Sequence, residues 1–274
     1  MDPEIPTWTG AVTLEAHVSR HWHLGPLRLW AERRRGGIKL AAARSSDPFE
    51  ESLSIAEEGI PEAEFLDAAG EALVLERWIP MSGREGALSL ELHALLADRP
   101  IVTKPEMQVY VPADDHADVY LTSPLWVGLS YDGARLLEIP TWRPSDTWFG
   151  PSTVSGTLAY AGRTRLRSRV EELSPTPVRA LTQTRIVNQT RRAIELEGIA
   201  LPLPSMRLYR TENGRLWTES VEVRCDRMGR SEVRVEAPSA ELTGSFRVLG
   251  ERRIQPDANG LVRAFSALFS GGLR

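Results

Sequence analysis

Leu88-Ser89-Leu90-Glu91-Leu92-His93 is the stretch whose reading decides the fold. Its leucines stand two residues apart, with a polar residue in each gap. Successive side chains of a β-strand point to opposite faces, so this spacing builds a strand with one apolar and one wet face. A helix needs apolar residues at steps of three and four instead. The same alternation recurs from Val12 to Ala237, which predicts a mainly β protein.

Upstream, Val12, Leu14, Ala16 and Val18 alternate with Thr13, Glu15, His17 and Ser19, a first strand with one buried face. Gly25-Pro26 breaks the pattern before a strand over residues 27–32. Arg34-Arg35-Gly36-Gly37 then turns the chain into a strand over 38–43, so this part reads as an antiparallel meander. Residues 45–70 are acidic and poor in β-formers, and strand character returns over 72–79. Downstream, strands are predicted over 101–103, 107–111, 119–122, 125–130 and 135–139, the last two joined by an Asp132-Gly133 hairpin turn. Beyond Pro175-Thr176-Pro177, strands over 178–187 and 193–201 flank a tight turn at Asn188-Gln189-Thr190. A further hairpin turns at Asn213-Gly214, and Val233 and Val235 alternate with Glu232, Arg234 and Glu236.

These elements predict antiparallel β-sandwich layers, immunoglobulin-like in the C-terminal part. Asn259 as N-cap, a stripe of Leu261, Val262, Phe265, Leu268 and Phe269, and Gly271-Gly272 as a stop predict one C-terminal α-helix packed on the body. Prolines near residue 104 suggest an N-terminal β-rich subdomain over 1–104 and a sandwich subdomain with the helix over 105–274.

Composition narrows function by exclusion. Thirty-three basic against 37 acidic side chains give a formal charge of -4, no electrostatic ground for a nucleic-acid partner. Lysine occurs only at Lys39 and Lys104, so nearly every cation is an arginine. Cys225 is the single cysteine, which excludes an internal disulfide and a thiolate metal cluster. Its place in the run Trp217, Val221, Val223, Cys225 marks it as core. No apolar run is long enough for a membrane span, and Met1-Asp2-Pro3-Glu4 lacks the form of a secretion signal, so the expected location is cytoplasmic. Nucleophile-elbow and phosphate-loop motifs do not occur.

Three segments carry groups capable of chemistry. His17, His21 and His23 share one parity of the expected first strand, and His21 with His23 would supply two imidazole ligands for zinc. The alternative is a solvated histidine cluster on the wet face. Asp114, Asp115, His116 and Asp118 are read as an acidic loop, either a calcium site or an ordinary solvated turn. Trp142, Arg143, Asp146, Trp148 and Phe149 lie between strands and form the most pointed segment. Flat rings there either stack on a ligand or partner, or fold inward to plug one end of a sandwich.

Asp118-Val119-Tyr120-Leu121-Thr122-Ser123-Pro124-Leu125-Trp126-Val127-Gly128 and Trp148-Phe149-Gly150-Pro151-Ser152-Thr153-Val154-Ser155-Gly156, with the strand end Ile186-Val187-Asn188-Gln189-Thr190, resemble an uncharacterised prokaryotic, mainly archaeal, family of unknown function. The likeness covers residues 118–190. It implies a β-rich cytoplasmic protein and brings no activity or catalytic residue with it. The expected function is a non-enzymatic binding or assembly module for a protein partner, a second copy or a small ligand, without a cofactor. The alternative is a metal-dependent hydrolase using zinc on His21 and His23.

Overall fold

The computed structural model describes residues 7–56, 64–65, 67, 73–81, 86–105, 108–149, 156–228, 231–238, 245–256 and 268–270. The strands, in chain order, begin with β1 (Gly10–Leu14), β2 (Ser19–Leu24), β3 (Leu27–Arg34), β4 (Gly37–Arg44), β5 (Leu53–Ala56), β6 (Leu73–Pro80) and β7 (Leu88–Leu95). Then follow β8 (Ile101–Lys104), β9 (Tyr110–Val111), β10 (Asp115–Pro124), β11 (Trp126–Tyr131), β12 (Ala134–Pro140), β13 (Ser145–Phe149) and β14 (Thr157–Arg163). The last are β15 (Arg179–Asn188), β16 (Ile194–Leu201), β17 (Leu208–Thr211), β18 (Leu216–Cys225), β19 (Ser231–Pro238), β20 (Phe246–Gly250) and β21 (Leu268–Ser270). The protein is mainly β, as the alternation predicts.

The chain forms two compact units. The first comprises Met1–Leu95 and Leu125–Arg143 and holds two antiparallel sheets, ordered β1-β7-β11-β12 and β5-β2-β3-β4-β6. Leu88, Leu90, Leu92 and Ala94 of β7 are buried while Ser89 and Glu91 are exposed, so the deciding stretch behaves as read. Trp22, Leu24, Leu29, Leu40 and Ala42 bury one face of the second sheet. From that face Arg44 and Arg77 donate to the carbonyls of Pro140 and Leu136 on β12 of the other sheet.

The second unit comprises Leu96–Pro124 and Pro144–Arg274, again with two sheets. One is ordered β10-β15-β18-β17-β20, with β19 also on β18; the other runs β13-β14-β8-β16-β21, with β9 on β16. Tyr120, Leu181, Tyr209 and Trp217 share one face of the former and are covered by Val170 and Leu173 of the 3-10 turn segment. Beyond them the same face carries a charged row: Asp118, Arg185, Glu222 and Arg234 stand opposite one another on four neighbouring strands. Alternating signs across a sheet neutralise one another and leave a solvated face.

Four expectations change. The first strand breaks at His17, whose φ of 62° turns the chain and whose amide donates to Arg33 O, so β1 and β2 belong to different sheets. The strands flanking residues 189–193 do not pair: β15 and β16 lie in different sheets. There the Asn188 amide donates to the carbonyls of Val111, Pro112 and Arg192 and accepts from Thr190, fixing a wide corner instead of a hairpin. The sheets of the second unit are mixed rather than antiparallel, since β15 pairs β18 and β14 pairs β8 in parallel. At the C-terminus, Leu268–Ser270 is a strand on β16 rather than the end of a helix, because that sheet edge offers backbone partners. The rest of the expected helix, residues 259–267, lies outside the described residues.

Candidate binding surface

The aromatic segment is not one loop. Trp142 and Arg143 end the stretch that belongs to the first unit, and Ser145–Phe149 is strand β13 of the second. Thr141 anchors the former: its amide and hydroxyl both donate to Leu125 O at 2.9 Å. Trp142 then emerges half-buried and Arg143 exposed.

On β13 the period of two sorts the remaining residues. Phe149 is 2% exposed and packs with Ala159, Ala200 and Val102, so it is core, not ligand surface. Trp148 points the other way and is 48% exposed. Its neighbour directly across the hairpin is Leu158, 43% exposed. Two residues along, Asp146 faces Tyr160 in the same register. Arg99 spans that row: its Nη1 donates to Asp146 Oδ1 at 3.2 Å, and its guanidinium carbon sits 5.4 Å from the Tyr160 ring centroid. The Tyr160 hydroxyl donates to Asp98 Oδ1 at 2.9 Å. An apolar pair thus adjoins a preorganised polar row on one face of the β13–β14 hairpin. β13 is also the edge of its sheet.

Gly156 explains how the indole is held. A Cβ there would lie 2.2 Å from Trp148 Nε1 and 2.6 Å from its Cε2, so the ring rests directly on the glycine backbone. The first unit repeats the device on its own edge strand β6. A Cβ at Gly37 would lie 2.5 Å from Trp78 Cζ2, and Trp78 is 47% exposed. In both cases the glycine sits two residues before the residue directly opposite the tryptophan, Leu158 on β14 in one case and Lys39 on β4 in the other. A ring laid over a glycine restores the packing that the missing side chain forfeits. Around Trp78 the apolar patch is interrupted by the Lys39–Glu76 ion pair at 2.8 Å.

Sequence reasoning missed Asp98, Arg99, Leu158 and Tyr160. The alternation Ser145-Asp146-Thr147-Trp148-Phe149 was the available signal, and it separates Trp148 from Phe149.

The histidines divide. His17 sits in the turn, away from the parity it was given. His21 and His23 do share a face of β2, standing opposite Trp30 and Arg28. His23 Nε2 lies 2.6 Å from Glu50 Oε1. Burial raises the Glu50 carboxyl, but hydrogen bonding and the charge of His23 outweigh that and hold it below the usual range. His21 packs edge-on against Phe65, with 5.8 Å between centroids, and among the described residues its buried Nε2 has no hydrogen-bond partner. Desolvation, then His23 and Arg28, lower its pKa. Among the described residues no group of three or more His, Cys, Asp or Glu side chains is placed to hold a metal ion. The expected acidic loop is mostly strand, because β10 starts at Asp115; Asp118 receives two hydrogen bonds from Arg185, each 2.9 Å. Cys225 is buried, and burial pushes its thiol pKa up.

Fold and surface together define a mainly β, two-unit protein with an exposed tryptophan–leucine pair on an edge hairpin. The chain belongs to DUF432, a protein family of unknown function, whose model matches residues 8–269. That match takes in the 118–190 resemblance and almost all the rest of the chain. Searches of the curated proteins and of the solved structures found no match. Among the described residues no helix is long and apolar enough to cross a membrane.

Proposed function

We propose that the chain is a non-enzymatic binding module, built as two sandwich-like pairs of β layers, that recognises a protein partner through the edge hairpin β13–β14. The observation that carries this reading is the half-exposed Trp148 beside Leu158, on an edge strand, with the Arg99–Asp146–Tyr160 row next to it. An edge strand pairs with an extended segment through main-chain hydrogen bonds, and side chains at alternate positions set specificity. Large rings at the centre of such a contact supply most of its affinity, while a polar rim fixes orientation. The Trp78 ring of β6 supports the same mode less well, since Lys39 and Glu76 break the apolar area there.

The test is a selection of displayed peptides against the full chain. Enriched peptides should bind at least about 10-fold more weakly to the Trp148→Ala protein, at unchanged melting temperature. Methylating alternate peptide amides should weaken binding on one parity only. Peptides that bind the Trp148→Ala protein equally well overturn the proposal, as does a selection that enriches nothing over that variant.

A further inference from the structure

Among the described residues, four arginines share the buried face of the β5-β2-β3-β4-β6 sheet with Trp22, Leu29 and Leu40: Arg20, Arg33, Arg44 and Arg77. Three of them are seated on backbone carbonyls. Arg33 donates to Gly37 O at 2.9 Å, Arg44 to Pro140 O at 2.9 Å and Arg77 to Leu136 O at 3.0 Å. Arg20 departs from this. Its Nε is buried and has no hydrogen-bond partner among the described residues, and no carboxylate there is paired with it. Trp22, two residues on, lies on the same face of β2. Trp22 is 0% exposed, and its Nε1 is likewise buried and without a partner among the described residues. Two residues of strand separate the two Cα atoms by about 6.6 Å. Ala31, directly opposite Arg20, contributes only a methyl group to this corner of the face.

Both nitrogens are donors with no acceptor capacity, so neither can satisfy the other. A buried donor is stable only where an acceptor meets it. Arg20 also carries a full positive charge that no described carboxylate offsets, which selects an anionic acceptor over a neutral one. Arg20 is only half-buried, so the pair is open to solvent along its side chain. We infer that Arg20 and Trp22 form a binding site in the first unit for an oxyanion, the carboxylate or phosphate group of a small ligand, with its oxygens on the two buried N–H groups. This site does not depend on the β13–β14 surface. Its rival is a water molecule that bridges the two donors.

The Trp22 indole N–H signal of a nitrogen-15 correlation spectrum, assigned by Trp22→Phe, is followed while sodium phosphate, acetate or chloride is titrated into the full chain at matched ionic strength. Should Trp22→Phe fail to fold, nuclear Overhauser contacts to Leu29, directly opposite, assign the signal instead. The site predicts a saturable shift with phosphate, with acetate or with both, and none with chloride. Which anion saturates at the lower concentration separates a phosphorylated from a carboxylated ligand. Arg20→Met removes the charge and the Nε–H and should raise the half-saturating concentration at least about 10-fold, while Arg247→Gln on β20 leaves it unchanged. Should Arg20→Met fail to fold, Arg20→Lys, which lacks the Nε–H, takes its place with the same expected direction. The inference is overturned if phosphate and acetate act as chloride does. It is equally overturned if the Arg20 variant saturates at the native concentration.

Discussion

Gly156→Ala probes the aromatic platform without touching an aromatic residue. Gly156 has ordinary backbone angles, so alanine is tolerated there except for space. The space is absent: the added carbon would meet Trp148 Nε1 at 2.2 Å, Trp148 Cε2 at 2.6 Å and the backbone oxygen of Phe149 at 2.8 Å. Two of these contacts end when the indole lifts away. The third involves backbone and requires the hairpin itself to shift. Such overpacking costs roughly 1–3 kcal/mol. For a unit of this size that lowers the melting temperature by roughly 2–12 °C. The sharper readout is the indole N–H region of a nitrogen-15 correlation spectrum, where eight tryptophans give eight side-chain signals. The Trp148 signal, assigned by Trp148→Phe, should move well clear of its native position while Trp22 and Trp30 in the first unit keep theirs. Peptide affinity should fall together with that displacement. A Gly156→Ala protein with an unmoved Trp148 signal and native stability would refute the claim that the ring rests on this glycine.

Phe149→Ala should cost about 3–5 kcal/mol in a chemical denaturation curve, since the ring is core, whereas Trp148→Ala on the opposite face should cost much less; equal losses would contradict the assigned faces. His21 gives a pH dependence with a definite sign. Its folded pKa lies below the ordinary value of 6.5, so the unfolded chain takes up the proton first. Stability should therefore fall as pH drops below about 6.5, then level off once the folded histidine is also protonated. His21→Phe should flatten the melting temperature between pH 7.5 and about 5.5, and an unchanged slope would show that another group is responsible. Asp118→Asn should cost under about 1 kcal/mol, an effect that 0.5 M salt largely removes, because the Asp118–Arg185 pair is exposed to solvent.

Strand identity was legible in the sequence because it is a local property. Leu88 to Ala94 alternates on the scale of one residue, and Asp132-Gly133, with φ of 51° and 74°, turns as that dipeptide demands. Sheet membership was not legible, because it is decided by long-range partners. Nothing local marks His17 as the corner between two sheets; only its positive φ and its bond to Arg33 O do so. Asn188 looks like a turn residue, yet its amide reaches Val111, 77 residues away, and sends β16 to another sheet. The return of Leu125–Arg143 to the first unit has no compositional signal either, and it divides the aromatic segment between two units. Of the candidate surface, Trp148 and Asp146 were visible as residue types. Arg99, Leu158 and Tyr160 join them only through strand pairing and cross-strand contacts.

Amide hydrogen exchange of the full chain with and without a selected peptide tests the recognition claim most directly. Slowed exchange concentrated in residues 145–149, with none at the β6 or β20 edges, is the predicted footprint. Protection that falls on residues 73–80 or 246–250 while residues 145–149 exchange as before would contradict it.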